Sequence, residues 1–538
     1  VIVGRRGGAR AVASAAALGL ALTACAGGQQ EGPGAASPGA GARHTPTEVV
    51  IAAGSEPDTF DPVLGHARWG DGKVTEGLLR LTVGLGVEPL LATDLPQVSD
   101  DGLTYTYTLR DGVTFHDGTA LDAADVVATY EAALDPANAS PVAADLTALA
   151  SVEAVDARTV RFTLSHPQSS FPVATVLGVV PSERLEEGQV AASSTVVGTG
   201  PYEMDTLRPG DRLVVTAFDG YWGERPVVER ATFVFAGDDA ARVARLASGE
   251  VDAALLPATS LERFAGDDSF EVVRRDTADF RALVLPEGRP VTGDPAVREA
   301  LHTGLDRQAL VEGALAGAGR PAFSPIPPEA PEYSDVLEVE ADTTAARRVL
   351  DEAGWVEGRD GVRVRDGVRA SFALMYPAGD TLRQNIALQV QAQAADLGLE
   401  VRPEGLSWEA IEPRMRTHAL VYGTGNPFDA DLSTYPLFHS SRAYVGFDNP
   451  GGYRSAQMDD ALEAGRRAAD EGARATAYQQ VQEQLAQDLP WVFLAYVGHD
   501  YVIRAGVWEG YDVPLVEPHE HGLQGGPWWN LPEWTAAD

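Results

Sequence analysis

Residues 101–136 read DGLTYTYTLRDGVTFHDGTALDAADVVATYEAALDP. Thr104, Thr106 and Thr108 alternate with Tyr105, Tyr107 and Leu109, a period of two rich in β-formers that predicts a half-buried strand. Arg110-Asp111-Gly112 turns the chain, and Gly118 marks a second turn. Asp122 is placed to cap a helix whose apolar face carries Val126, Val127, Tyr130 and Leu134. The same alternation of strand and helix continues in both directions. Strands are expected at 49–53, 160–164, 213–218, 251–255 and 399–402. Helices are expected at 242–246, after the cap and first-turn proline Asp294-Pro295, over 382–397 closed by Gly398, and as a late pair carrying Met458 and Leu462, then Ala477, Val481 and Leu485. Such alternation over hundreds of residues predicts an α/β fold with mixed sheets. After residue 48 no Gly/Pro/Ser-rich linker interrupts the chain, so its lobes should be joined by several crossings.

Length and charge narrow the class. The chain has 538 residues, past the size of one hydrophobic core, so at least two lobes are expected. Lys+Arg number 41 against Asp+Glu 78, a net charge of −37 that excludes nucleic acid and anionic membrane as partner surfaces. Lys73 is the sole lysine, so almost every cation is an arginine.

The single cysteine, Cys25, excludes an intrachain disulfide and a Cys-rich zinc site. It follows Arg5, Arg6 and Arg10, a short apolar run from Ala11 to Ala21, and Leu22-Thr23-Ala24. This order reads as a secretory signal over 1–24. Its Leu-x-Ala-Cys end resembles the bacterial lipobox, in which the cysteine is lipidated and becomes the first mature residue. Residues 25–46 are small and polar and read as a flexible tether.

No G-x-S-x-G, H-E-x-x-H or phosphate loop is found. His519 and His521 lie two apart and would share a face on a strand, a weak metal-binding pattern. Gly112, Gly118, Gly198 and Gly200 read as turns with positive φ. Tyr221-Trp222 reads as packing.

Taken in order, 101–136, VGTGPYEMDTLRPGDRLVV (197–215), FDGYWGERPVVERATF (218–233), ARVARLASGEVDAAL (241–255), 294–328, ARRVLDEAGW (346–355) and 382–402 resemble the extracellular solute-binding proteins of the peptide/nickel type, family 5, which serve ABC importers. The resemblance spans residues 48–508. It implies a bilobal periplasmic-binding-protein-like fold (type II, cluster C). Residues 47–75, 195–275 and 498–538 would form lobe I, 76–194 a subdomain inserted in it, and 276–497 lobe II. It further implies a monomer that carries no cofactor, performs no covalent chemistry and hands its ligand to ABC permease subunits of the cell membrane. A secreted hydrolase on the same scaffold is the remote alternative.

The resemblance also suggests where a ligand sits. In peptide binders an aspartate in a segment resembling 420–440, LVYGTGNPFDADLSTYPLFHS, receives the ligand's α-amino group, which makes Asp429 and Asp431 the candidates. Either could instead cap a helix, Asp431 one starting near Leu432. Nickel-type members show a comparable aromatic–Asp segment followed by a histidine. Asn426-Pro427-Phe428-Asp429 resembles it, with His439 earlier than that pattern places it. Trp69, Trp408, Tyr422, Phe428 and Tyr435 fall near the expected cleft edges, and Arg414, Arg416 and Arg442 are the candidates to reach a ligand carboxylate. Di- or oligopeptides are the expected ligands, a nickel chelate or metallophore complex the alternative.

Overall fold

A computed structural model describes residues 45–537 apart from 71, 187–188, 191–194, 469, 512–514 and 520–522. The signal, Cys25 and His521 lie outside the described residues, as does the tether up to residue 44.

The 101–136 segment folds as its pattern requires. Strand Thr104–Thr108 buries Tyr105 and Tyr107. Helix Ala123–Leu134 starts at Asp122 with a full capping box closed by Asp125, and buries Val126 and Tyr130. Tyr130 and Tyr107 both meet Phe162 edge-on. This core is shared by a four-stranded sheet, ordered Gln97–Val98, Thr104–Thr108, Thr159–Leu164, Leu149–Asp156.

Two larger mixed sheets carry the rest. The first has seven strands, in the order Tyr202–Arg208, Arg212–Ala217, Arg230–Phe235, Glu48–Ala53, Ala253–Leu255, His499–Arg504, Phe270–Arg275. Glu48–Ala53 runs parallel to both its neighbours. The second has six, in the order Gly319–Pro321, Trp491–Val497, Phe280–Val284, Ala419–Thr424, Ser371–Pro377, Glu400–Leu406. Each is covered by apolar clusters on both faces, which is why its inner strands, such as Trp491–Val497, read as unbroken apolar runs. The result is an α/β bilobal fold of the periplasmic-binding-protein kind.

The chain crosses between the sheets at residues 276–279 and again at Gly498. The two crossings are bonded to each other: the Val497 N–H donates to the Asp279 carbonyl at 2.8 Å, and the Thr277 hydroxyl donates to the Val497 carbonyl. The tail packs beneath the seven-stranded sheet, where Trp508, Trp528 and Trp534 join Tyr202, Phe233 and Tyr501.

One expectation about glycine is corrected. Gly112 and Gly118 have positive φ, but Gly198 and Gly200 do not. They serve close approach instead. A Cβ on Gly198 would lie 2.1 Å from the Val74 carbonyl oxygen, and one on Gly200 would lie 2.4 Å from that of Lys73. The Gly200 and Tyr202 N–H groups bond those same two carbonyls. Gly198→Ala should therefore force the 73–75 and 198–202 segments apart, costing about 1–3 kcal/mol, as overpacking does. Equal urea midpoints for variant and parent would refute this.

Candidate functional site

A cavity of about 620 Å³ opens beside the crossings. Its floor is the end of strand Ala419–Thr424 and the turn that follows, Tyr422 to Asn426. Gly425 lets this turn pass directly over the first crossing, since a Cβ there would collide with the Ala278 carbonyl. Helix Ala430–Phe438 contributes Leu432 and Tyr435, and Arg383, Trp408, Phe447 and Arg466 complete that wall. Arg68, Trp69 and Asp145 face it from other parts of the chain, with His519 at one end. Trp408 is 38% exposed and stands edge-on to Phe447 at 5.0 Å. The Tyr422 hydroxyl donates to the Phe447 carbonyl.

Of the residues singled out from sequence, Trp69, Trp408, Tyr422, Asn426, Tyr435, Arg442 and His519 line this cavity, whereas Asp429, Asp431, Phe428 and His439 do not. Asp429 is the helix cap, accepting the Asp431 N–H at 2.8 Å, so the helix starts two residues before Leu432. Its carboxylate pairs with Arg474, which also holds Glu332 at 2.9 Å. Burial pushes the Asp429 carboxyl up to about 6 against the pull of Arg474. Asp431 is wholly buried between Arg466 Nε, at 2.8 Å, and the Ser170 hydroxyl, at 3.0 Å. Phe428 packs into the apolar cluster of the four-stranded sheet. His439 stacks on Tyr435 at 4.3 Å.

The lining is rich in cations. Arg68, Arg383, Arg442 and Arg466 face it, against Asp145 and Asp448. Asp448 is held by Arg442, and Asp145 lies 3.6 Å from Arg68. Arg383 pairs with Asp380 at 2.5 Å, while burial and nearby Arg281 push its pKa below the ordinary arginine range. The His519 Nδ1 bonds Asp279, which Arg281 also holds. His519 is thus engaged with the 276–279 crossing. Arg414 donates to the Ala410 carbonyl and Arg416 lies over Tyr444; neither lines the cavity. Among the described residues no group of three or more His, Cys, Asp or Glu could hold a metal ion.

Sequence reasoning missed Arg68, Arg383, Phe447 and Arg466. For Arg383 there was a signal. It sits in the first turn of helix Thr381–Asp396, where the helix dipole disfavours a cation, so another role should have been sought for it.

Trp69 also borders a second cavity, of about 890 Å³, whose wall includes Glu76, Arg80, Trp222 and Trp529. Tyr221-Trp222, read as packing, has a further role here. Its hydroxyl and indole N–H donate to the buried Glu76 carboxylate at 2.9 Å each, beside the Thr199 hydroxyl at 2.8 Å. Burial nevertheless pushes the Glu76 carboxyl up to about 7, from an ordinary 4.5. Between those values the native state binds more protons than the unfolded one, so this group makes stability fall as pH rises from about 4.5 to about 7. Glu76→Gln cannot ionise and should flatten that fall. Urea midpoints at either end of the window measure it, and an unchanged slope would count against it.

The model of the family described as bacterial extracellular solute-binding proteins, family 5 middle, matches residues 86–444. Protein XP55 of Streptomyces lividans is 42% identical over 470 residues, covering 87% of this chain and 86% of its own. The crystal structure of NikZ from Campylobacter jejuni, in complex with Ni(L-His), superposes with a TM-score of 0.78 at 26% identity, covering 91% of this chain and 99% of that one. The oligopeptide-binding protein AppA of Bacillus subtilis, in complex with a nonapeptide, does so at 0.76 and 26%, with the same coverage. Among the described residues no helix is long and apolar enough to cross a membrane.

Proposed function

We propose that this chain, which belongs to the bacterial extracellular solute-binding proteins of family 5, captures short peptides in the 620 Å³ cavity and delivers them to the permease of an ABC importer. Proteins of this family are extracytoplasmic transport components that work with ABC permeases. The observation that carries the peptide reading is the cavity itself. Its volume lies in the range of small-ligand sites, its walls are aromatic, and its arginines suit a carboxylate. No covalent step is required. Residues 47–75, 195–275 and 498–538 make lobe I, 76–194 its inserted subdomain and 276–497 lobe II, and closure about the two crossings shifts the population toward the form the permease recognises. The protein acts as a monomer tethered through a lipid on Cys25, a reading supported by the basic and apolar run ahead of that residue.

A second reading is favoured by the likeness to the NikZ complex: a metal chelate as cargo, its carboxylates held by the same arginines. Thermal unfolding in the presence of a di- and tripeptide library, with nickel–histidine as a parallel sample, separates the two. Peptides should raise the midpoint and be recovered intact. Stabilisation by nickel–histidine alone would reject the peptide reading.

A further inference from the structure

Segment 168–171 of the inserted subdomain is bonded to three helices of lobe II. The Ser169 N–H donates to the Arg466 carbonyl at 2.8 Å, at the end of helix Ala456–Arg466. The Ser169 hydroxyl donates to the Gly465 carbonyl at 3.2 Å and accepts from Arg474, of helix Glu471–Asp488, at 2.5 Å. The Ser170 hydroxyl donates to Asp431 of helix Ala430–Phe438. Ser170 is 1% exposed and Asp431 is wholly buried, so this bond forms away from water, where it is strongest. Asp429 takes part through Arg474, which holds it and Ser169 together.

An apolar contact joins the same two bodies. Phe428 stands just ahead of helix Ala430–Phe438, yet its ring belongs to the core of the inserted subdomain, the cluster of Tyr105, Tyr130 and Phe162. Among the described residues it is the one buried member of that cluster drawn from 276–497, and Leu432 packs against the cluster beside it. Neither crossing belongs to this contact. Residues 276–279 and Gly498 join lobe II to the seven-stranded sheet. Lobes that part about those crossings, with the inserted subdomain moving as part of lobe I, must therefore break all of these hydrogen bonds and withdraw Phe428. Arg466 links the contact to the site: its carbonyl receives the Ser169 N–H, and its side chain lines the cavity.

We infer that this contact is a latch: segment 168–171 and Phe428 hold the lobes closed without a ligand, and cargo enters and leaves only when they release. This rests on the lobes closing about the two crossings, and it adds which contacts hold them. It holds for either kind of cargo.

The test is hydrogen–deuterium exchange and small-angle X-ray scattering on the full chain, refolded from urea to strip any bound ligand. Parent is compared with Ser169→Ala/Ser170→Ala. The backbone N–H of residue 169 survives in the variant and reports the latch, while strand Thr104–Thr108 reports the fold of the subdomain. Exchange at residue 169 should quicken about tenfold or more with the strand unchanged, and the radius of gyration should rise. Equal acceleration at both places would make the contact part of the fold and overturn the inference. Faster exchange with unchanged scattering would reduce the latch to local fraying and overturn it as well. Unchanged exchange and scattering would also overturn it, and Ser170→Trp, its fold checked by circular dichroism, then separates two failures. Its ring cannot fit the buried position. A larger radius in that variant would mean that the lobes part but are held elsewhere. An unchanged radius would remove the closure reading too.

Discussion

Asp431→Ala is expected to lower the stability of the ligand-free protein by about 3–5 kcal/mol, the cost of leaving one member of a buried ion pair alone. The orphan would be Arg466, whose side chain is 8% exposed and whose Nε meets both Asp431 oxygens, at 2.8 and 3.0 Å. The Arg466 guanidinium also lies over the Tyr435 ring, so its displacement would disturb a wall of the cavity. Ser170 would lose its acceptor in the same substitution, loosening the contact between segment 168–171 and helix Ala430–Phe438. Asp431→Asn keeps an oxygen for Ser170 and should fall between parent and Ala variant. Urea unfolding without ligand decides the matter. A ligand-contacting aspartate would show the reverse pattern, weakened binding with stability unchanged.

Arg383→Met should do the opposite. Its place in the cavity lining and its position against the helix dipole both favour a role toward the ligand. Asp380, its partner, remains partly solvated and keeps its cap on the Arg383 backbone N–H, so the fold should survive. A charge-assisted hydrogen bond to a ligand carboxylate is worth about 2 kcal/mol, so affinity should fall roughly 30-fold. The loss should vanish for a C-terminally amidated peptide. Calorimetry with the acid and its amide measures both effects. Equal affinity of parent and variant for the acid would place the carboxylate at another arginine.

Local physics made much of the fold legible. Period-two tyrosines, the Asp122 cap, Asp294-Pro295 and Gly398 all act within one or two turns of chain, and each element formed where its residues indicated. Gly198 and Gly200 were misread because their constraint comes from the carbonyls of Lys73 and Val74, more than a hundred residues away. The site divides along the same line. The segment 420–440 does border the cavity, but which of its side chains face inward depends on Arg466 and Arg474, which meet Asp431 and Asp429 only after folding. The sequence alone offered no way to see those pairs, and so singled out the two carboxylates together with Asn426, which does line the cavity. The same holds for Arg68, which reaches the cavity from the other side.

Native mass spectrometry of the protein as purified, followed by denaturation and identification of what is released, decides whether the cavity is a short-peptide site. The expected result is a mass increment that resolves into short peptides bearing a free carboxylate. Release of a metal chelate or a carbohydrate in place of peptide would contradict it.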